Sequence, residues 1–202
     1  MTPEHFAQRT GVSRETLEKL KRYQSLLEKW QAKINLVSAT TLPELWERHF
    51  LDSWQIVPHL GTARRIADLG SGAGFPGLVI AACRPDLELH SVDSDTRKIA
   101  FQIDVARELG LTVKFHSARV ESLAGKLVVD VVAARALAPL TQLLAWAAPL
   151  LAPGGLCTFL KGATYESELT QAKAAWHMGA QIVPSLSEPG AALLLLRDPK
   201  AK

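Results

Sequence analysis

Ile66-Ala67-Asp68-Leu69-Gly70-Ser71-Gly72-Ala73-Gly74-Phe75-Pro76-Gly77 is a short apolar run that breaks into glycines at alternate positions. The apolar segment Phe75 to Cys83 follows it at helical spacing. A strand (Ile66 to Gly70), a glycine turn and a helix in that order form the ligand-binding turn of an open α/β sheet. The glycines allow a tight turn and let a ligand approach the main chain. Their spacing, Gly70-x-Gly72-x-Gly74, differs from the Gly-x-Gly-x-x-Gly that cradles a pyrophosphate.

Downstream, β-prone runs alternate with helical segments. The pattern predicts strands over 87–93, 112–117, 128–134, 156–161, 180–185 and 191–197, and helices over 96–110, 139–150 and 166–179. Such alternation predicts a parallel sheet covered on both faces. The last two strands break the rule. About five residues join them, Glu188-Pro189-Gly190 among them, where a parallel crossover needs a dozen or more. The final strand is therefore an antiparallel hairpin partner of the one before it. A seven-stranded, Rossmann-like α/β sheet with a reversed last strand resembles the class I S-adenosylmethionine-dependent methyltransferases. An NAD-binding domain normally lacks that strand, so an oxidoreductase is disfavoured.

Upstream lie two helical patterns. Leu17, Leu20, Tyr23, Leu27, Trp30 and Ile34 recur at three- and four-residue steps over 13–34, with Ser13 as N-cap. A second helix is expected from about Pro43 to Val57, stopped by Pro58. No linker separates them from the rest. Residues 1–60 are expected to form an N-terminal helical cap on a methyltransferase domain of residues 61–202.

Composition supports a packed core, with 48% apolar and 21% charged residues. A net charge of +3 does not by itself argue for nucleic acid, and any RNA grip must be a local patch, drawn from Arg97, Lys98, Arg119, Arg135 and Lys161. Cys83 and Cys157 sit in apolar surroundings and read as buried thiols of a reducing compartment. No Cys-x-x-Cys or His-x-x-x-His spacing occurs, so no metal is expected. The first residues lack a secretory pattern, and prolines and glycines interrupt the apolar stretch 143–160. A cytoplasmic monomer that does not enter membranes is expected.

The ligand site follows from the turn. S-adenosylmethionine has no phosphate but offers a ribose, an adenine, a sulfonium and an amino-acid end. Asp68, just before the glycines, suits its cationic end. Asp93, at the end of the second strand, suits the ribose hydroxyls, while Asp95 reads as a helix N-cap. Adenine is expected beside Ala118-Arg119-Val120-Glu121, although Arg119 and Glu121 also read as a solvated loop pair.

The acceptor is read from the end of the fourth strand, Ala133-Ala134-Arg135-Ala136, which holds no Cys, His or carboxylate. An amine or carbon acceptor needs proton removal or covalent activation. A ring nitrogen such as guanine N7 needs only placement. Arg135 suits the cofactor carboxylate, guanine O6 or a phosphate. Lys161 reaches the same rim, or is a plain surface charge. Both are assigned positioning roles.

Ile34-Asn35-Leu36-Val37-Ser38, Arg48-His49-Phe50-Leu51-Asp52-Ser53, Asp68 to Gly77, Arg119-Val120-Glu121, Arg135-Ala136 and Leu160-Lys161-Gly162 occur in order. Together they resemble the glucose-inhibited division protein B family of bacterial 16S ribosomal RNA guanine-N7 methyltransferases, over nearly the whole chain. The resemblance implies cofactor contacts at Gly70, Phe75, Val120, Glu121 and Arg135, with Gly72 and Gly74 completing the turn. It implies 16S ribosomal RNA, in the small subunit or its precursor, as partner, and guanine 527 as acceptor. Ala134 stands where many members have Ser. The Arg48 to Ser53 block reads either as a clamp, with Arg48 and Asp52 paired four apart, or as part of an RNA grip through Arg48, His49, Arg119 and Lys161. A small-molecule methyltransferase and a non-catalytic cofactor-binding module are the rival readings.

Overall fold

The computed structural model describes residues 1–202. Its sheet contains β1 (Arg65–Leu69), β2 (Glu88–Asp93), β3 (Val113–Ser117), β4 (Val129–Arg135), β5 (Leu151–Lys161), β6 (Trp176–Pro184) and β7 (Ala192–Ala201), in the order β3-β2-β1-β4-β5-β7-β6. Strands β1 to β5 pair in parallel, and β7 runs antiparallel to both β5 and β6. This is the class I methyltransferase sheet with its reversed last strand. β7 lies inside the sheet and β6 forms the edge. The β6–β7 loop therefore leaves the carboxyl end of β6, at the ligand-binding end of the sheet. Strand order reverses between β1 and β4, which places the glycine turn at the crevice.

Strand alternation divides the core in two. Ile66, Leu89, Val131, Ala133, Leu193 and Leu195 join one buried cluster with the N-terminal helices, α4 (Gly77–Cys83) and α5 (Thr96–Leu109). Ala67, Leu69, Val132, Ala134, Leu194 and Leu196 face the other cluster, with α6 (Leu140–Ala147) and α7 (Tyr165–Ala175). Cys157 is buried and Cys83 only half-buried, and desolvation pushes the Cys83 thiol up to about 12.

Several elements depart from the sequence expectation. A first helix, α1 (Pro3–Thr10), was not anticipated, although Thr2 caps it by accepting from the His5 N–H and Gly11 ends it in the left-handed region. Helix α2 (Arg14–Gln31) ends before Ile34 because the Gln31 side chain accepts from the Leu36 and Val37 N–H groups and turns the chain. The expected helix over 43–57 is broken into a 3-10 turn (Leu42–Glu44), a π-helix (Trp46–Leu51), the α-helical turn α3 (Asp52–Trp54) and a second 3-10 turn (Val57–His59). The helix over 166–179 stops at Ala175, since Trp176 and His177 pair with Ala201 and Lys200 in the hairpin. There, sheet pairing overrides local helical preference.

Candidate active site

The glycine turn is clamped from several elements. Gly70 has φ +63° and Gly74 φ +87°, and a Cβ at Gly70 would collide with the Leu137 side chain. Tyr23 of α2 donates its hydroxyl to the Ala73 carbonyl, and its ring stacks on Phe75 at 5.1 Å. Gln102 of α5 donates to Ser71 Oγ at 2.8 Å and to the Gly72 carbonyl at 2.9 Å. Asp93 Oδ2 accepts from the Gly72 N–H and Oδ1 from the Asp95 N–H, each at 2.8 Å. Asp95 is the N-cap of α5. Tyr23 and Gln102 were missed as turn supports, because spacing showed only one as apolar and gave the other no role.

Asp68 is fully buried, facing α4, where its Oδ2 accepts from the Gly77 N–H at 2.8 Å. Its Oδ1 has no hydrogen-bond partner. Burial raises the carboxyl to about 7, against the Gly77 N–H and Arg135, which pull it down.

A cavity of about 360 Å3 opens in front of the turn, lined by Gly70, Asp93, Val120, Glu121, Leu137 and Trp146. Lys98 and Arg119 also border it. Carboxylates, an apolar wall and main chain suit a nucleoside with a free diol. The orphaned Asp68 Oδ1 behind the turn suits a cationic group or a bridging donor. Asp68, Gly72, Gly74 and Phe75 do not line it; Asp68 is buried and Phe75 is 3% exposed in the aromatic cluster with Tyr23 and Phe50. Leu137 and Trp146 carry no sequence signal beyond the apolar pattern of their segment.

A second cavity, about 370 Å3, lies over the ends of β4 and β5 and is walled by Arg48, His49, Asp52, Arg135, Lys161 and Glu188. The two cavities share Ala136, a non-glycine residue at φ +50°. Arg135 holds the junction. Its Nη1 donates to the Arg48 carbonyl at 2.9 Å, its Nη2 to His49 Nδ1 at 2.6 Å, and Asp52 Oδ2 is 3.5 Å from Nη1. The guanidinium also stands 5.4 Å from the Phe75 ring centre.

His49 is consequently neutral: burial first, then Arg135 and Arg48, lower it to about 3. Because Nδ1 accepts from Arg135, Nε2 carries the proton and donates to Thr41 Oγ1 at 2.8 Å. Asp52 is raised by burial and accepts from Gln55 and Ser187. The anticipated Arg48–Asp52 pair is not formed; Arg48 pairs with Glu188 at 2.9 Å instead. Lys161 is a strut rather than a free rim charge. It donates to the Ala138 carbonyl at 3.0 Å and pairs at 2.7 Å with Glu168, which accepts from the Leu140 N–H opening α6. Arg119 remains exposed beside the first cavity and Arg97 is paired with Asp95.

Residues 16–192 match the family model described as rRNA small subunit methyltransferase G, GidB. The chain belongs to the GidB family. The ribosomal RNA small subunit methyltransferase G of Paramagnetospirillum magneticum is 54% identical over 200 residues, covering 98% of this chain and 96% of its own. The enzyme of that name from Rhodospirillum rubrum is 49% identical over 199 residues, with 98% of both chains covered. Among solved structures, the N-methyltransferase NodS from Bradyrhizobium japonicum with S-adenosyl-L-homocysteine superposes with a TM-score of 0.57 at 18% identity, over 88% of this chain and 98% of its own. TrmN from Thermus thermophilus superposes at 0.56 with 22% identity, over 77% of this chain and 52% of its own. These two likenesses show the GidB chain's fold. No helix is long and apolar enough to cross a membrane.

Within this GidB site, the ionisable groups near Ala136 are already engaged. Both His49 nitrogens are bonded, Asp52 and Glu168 are held by several donors, and Lys161 is paired. Of the acids walling the second cavity, only Glu188 keeps a carboxylate oxygen with no protein partner.

Proposed function

We propose that this chain transfers the methyl group of S-adenosylmethionine to N7 of a guanine in 16S ribosomal RNA, guanine 527 by family resemblance. The observation that carries the reading is the engaged junction at Ala136, flanked by a nucleoside-sized cavity and a polar one. When bound, S-adenosylmethionine supplies an electrophilic methyl carbon on a sulfonium. Asp93 and Glu121 hold the ribose and adenine end, while Val120, Leu137 and Trp146 cover it. Arg135 shapes the floor between the cavities and adds positive charge beside RNA phosphate or guanine O6. The N7 lone pair needs no deprotonation, so in-line placement is the protein's main contribution. The protein works as a cytoplasmic monomer on the small ribosomal subunit or its precursor.

Labelled cofactor incubated with small subunits, followed by nucleotide mapping, tests this. Label at guanine N7 is the expected result; label on another atom overturns the reading. Asp93→Ala should reduce cofactor affinity at least tenfold and transfer with it. Unchanged affinity would show that Asp93 holds the turn and not the ribose.

A further inference from the structure

Glu188 differs from the other acids of the second cavity. Asp52 accepts from Gln55 and Ser187, and Glu168 from Leu140, Thr164 and Lys161. Glu188 uses only Oε2, against Arg48 Nη2 at 2.9 Å, and its Oε1 has no partner. Its loop is nonetheless built. Ser185 Oγ accepts from the Glu188 N–H at 3.2 Å, Ser187 Oγ donates to Asp52 Oδ1 at 2.6 Å, and the Leu186 N–H donates to Gln55 Oε1 at 3.0 Å. Arg48 in turn binds Arg135 through its carbonyl, so the ion pair and the Arg135–Ala136 junction share one wall.

We infer that Arg48 and Glu188 form a subsite that reads the Watson–Crick edge of the acceptor guanine. The inference rests on the guanine reading above and names the residues that select the base. Guanine presents O6 as acceptor, then N1–H and the 2-amino group as adjacent donors. Glu188 accepts from the two donors and Arg48 donates to O6. N7 lies on the other edge of the purine and stays free to face the junction. Adenine presents a donor where guanine has O6 and a lone pair where guanine has N1–H, so both members of the pair reject it. A base extruded from its stack is read through this edge by such contacts.

The test uses the full-length protein, labelled cofactor, and small subunits reconstituted with guanine or inosine at the acceptor position. Inosine keeps N7, O6 and N1–H but lacks the 2-amino group. Wild-type protein should prefer guanine over inosine by roughly 10- to 100-fold in kcat/KM, the range of a good base contact. Glu188→Ala should lose about that factor on guanine and treat the two bases alike. Glu188→Gln, which keeps the loop's shape but only one acceptor against two donors, should also lose rate on guanine, and both should retain wild-type cofactor affinity. Glu188→Ala keeping the wild-type guanine-to-inosine ratio, or Glu188→Gln keeping the wild-type rate on guanine, overturns the subsite. Wild-type protein that labels inosine at N7 as fast as guanine overturns it too, while leaving the methyl-transfer reading intact. Wild-type protein that leaves guanine N7 unlabelled overturns both.

Discussion

His49 and Asp68 are buried ionisable side chains whose effects on stability run in opposite directions. His49 is held neutral, with its folded value near 3 against an ordinary 6.5. Below pH 6.5 the unfolded chain takes up a proton that the folded chain refuses, so this contribution is lost as pH falls from 6.5 toward 3. Asp68 is raised to about 7 from 3.8. Above pH 3.8 the unfolded chain releases a proton that the folded chain keeps, so its contribution is lost as pH rises from 3.8 to 7. The two slopes, each at most about 1.4 kcal/mol per pH unit, oppose one another between pH 4 and 6.5. Relative to wild type without cofactor, His49→Gln should lose stability as pH rises through that range, and Asp68→Asn should gain it. Urea midpoints at one-unit pH steps measure the difference; slopes of the same sign would contradict the assignments. At this scale the sequence was partly legible. Arg135 stood out as a charge ending an apolar run, and Asp93 by its distance from the glycines. Their partners did not, because Arg135 meets His49 across 86 residues of chain, a separation no local pattern reports.

The π-helix from Trp46 to Leu51 is the element on which the second cavity depends. Its wide turn offers the Arg48 carbonyl and His49 Nδ1 to one guanidinium, with Asp52 beside them. A planar fork meets these acceptors together, whereas an ammonium on a flexible stem does not. Arg135→Lys should cost about 1.5–3 kcal/mol. It should also speed amide exchange across residues 46–54 while leaving β1 and β4 protected. Uniform exchange in both regions would mean that the guanidinium does not hold the element. Apolar spacing identified the helical stretch but not its widening, because a π-turn preserves the composition and nearly the spacing of an α-turn. The overrun of the last helix has a related cause. Ala174-Ala175-Trp176 favours a helix locally, and only the distant β7 makes Trp176 a strand residue. The hairpin was legible because a short loop permits one pairing alone.

At the scale of the molecule, the boundary near residue 60 expected from the sequence marks a change of pattern, and the packing runs straight across it. Phe6, Leu20, Tyr23, Leu27, Phe50, Leu51 and Ile56 are each 0% exposed and share one cluster with Ile66, Leu78 and Phe101. Burying side chains of this size contributes about 1.5–3 kcal/mol each. Those from residues 1–60 therefore make up a large part of the shared core. Truncation would also uncover Phe75 and free Ala73 from Tyr23, so the glycine turn would lose its support. The full chain is therefore expected to unfold in one calorimetric transition, with van't Hoff and calorimetric enthalpies equal. Residues 61–202 alone should show no cooperative melt and no measurable cofactor binding. Two transitions in the full chain, or a cooperative melt of 61–202, would show that the helices merely decorate a self-sufficient fold. A single transition would mean that the helices walling the second cavity also hold the glycine turn in shape, so that both cavities belong to one cooperative unit.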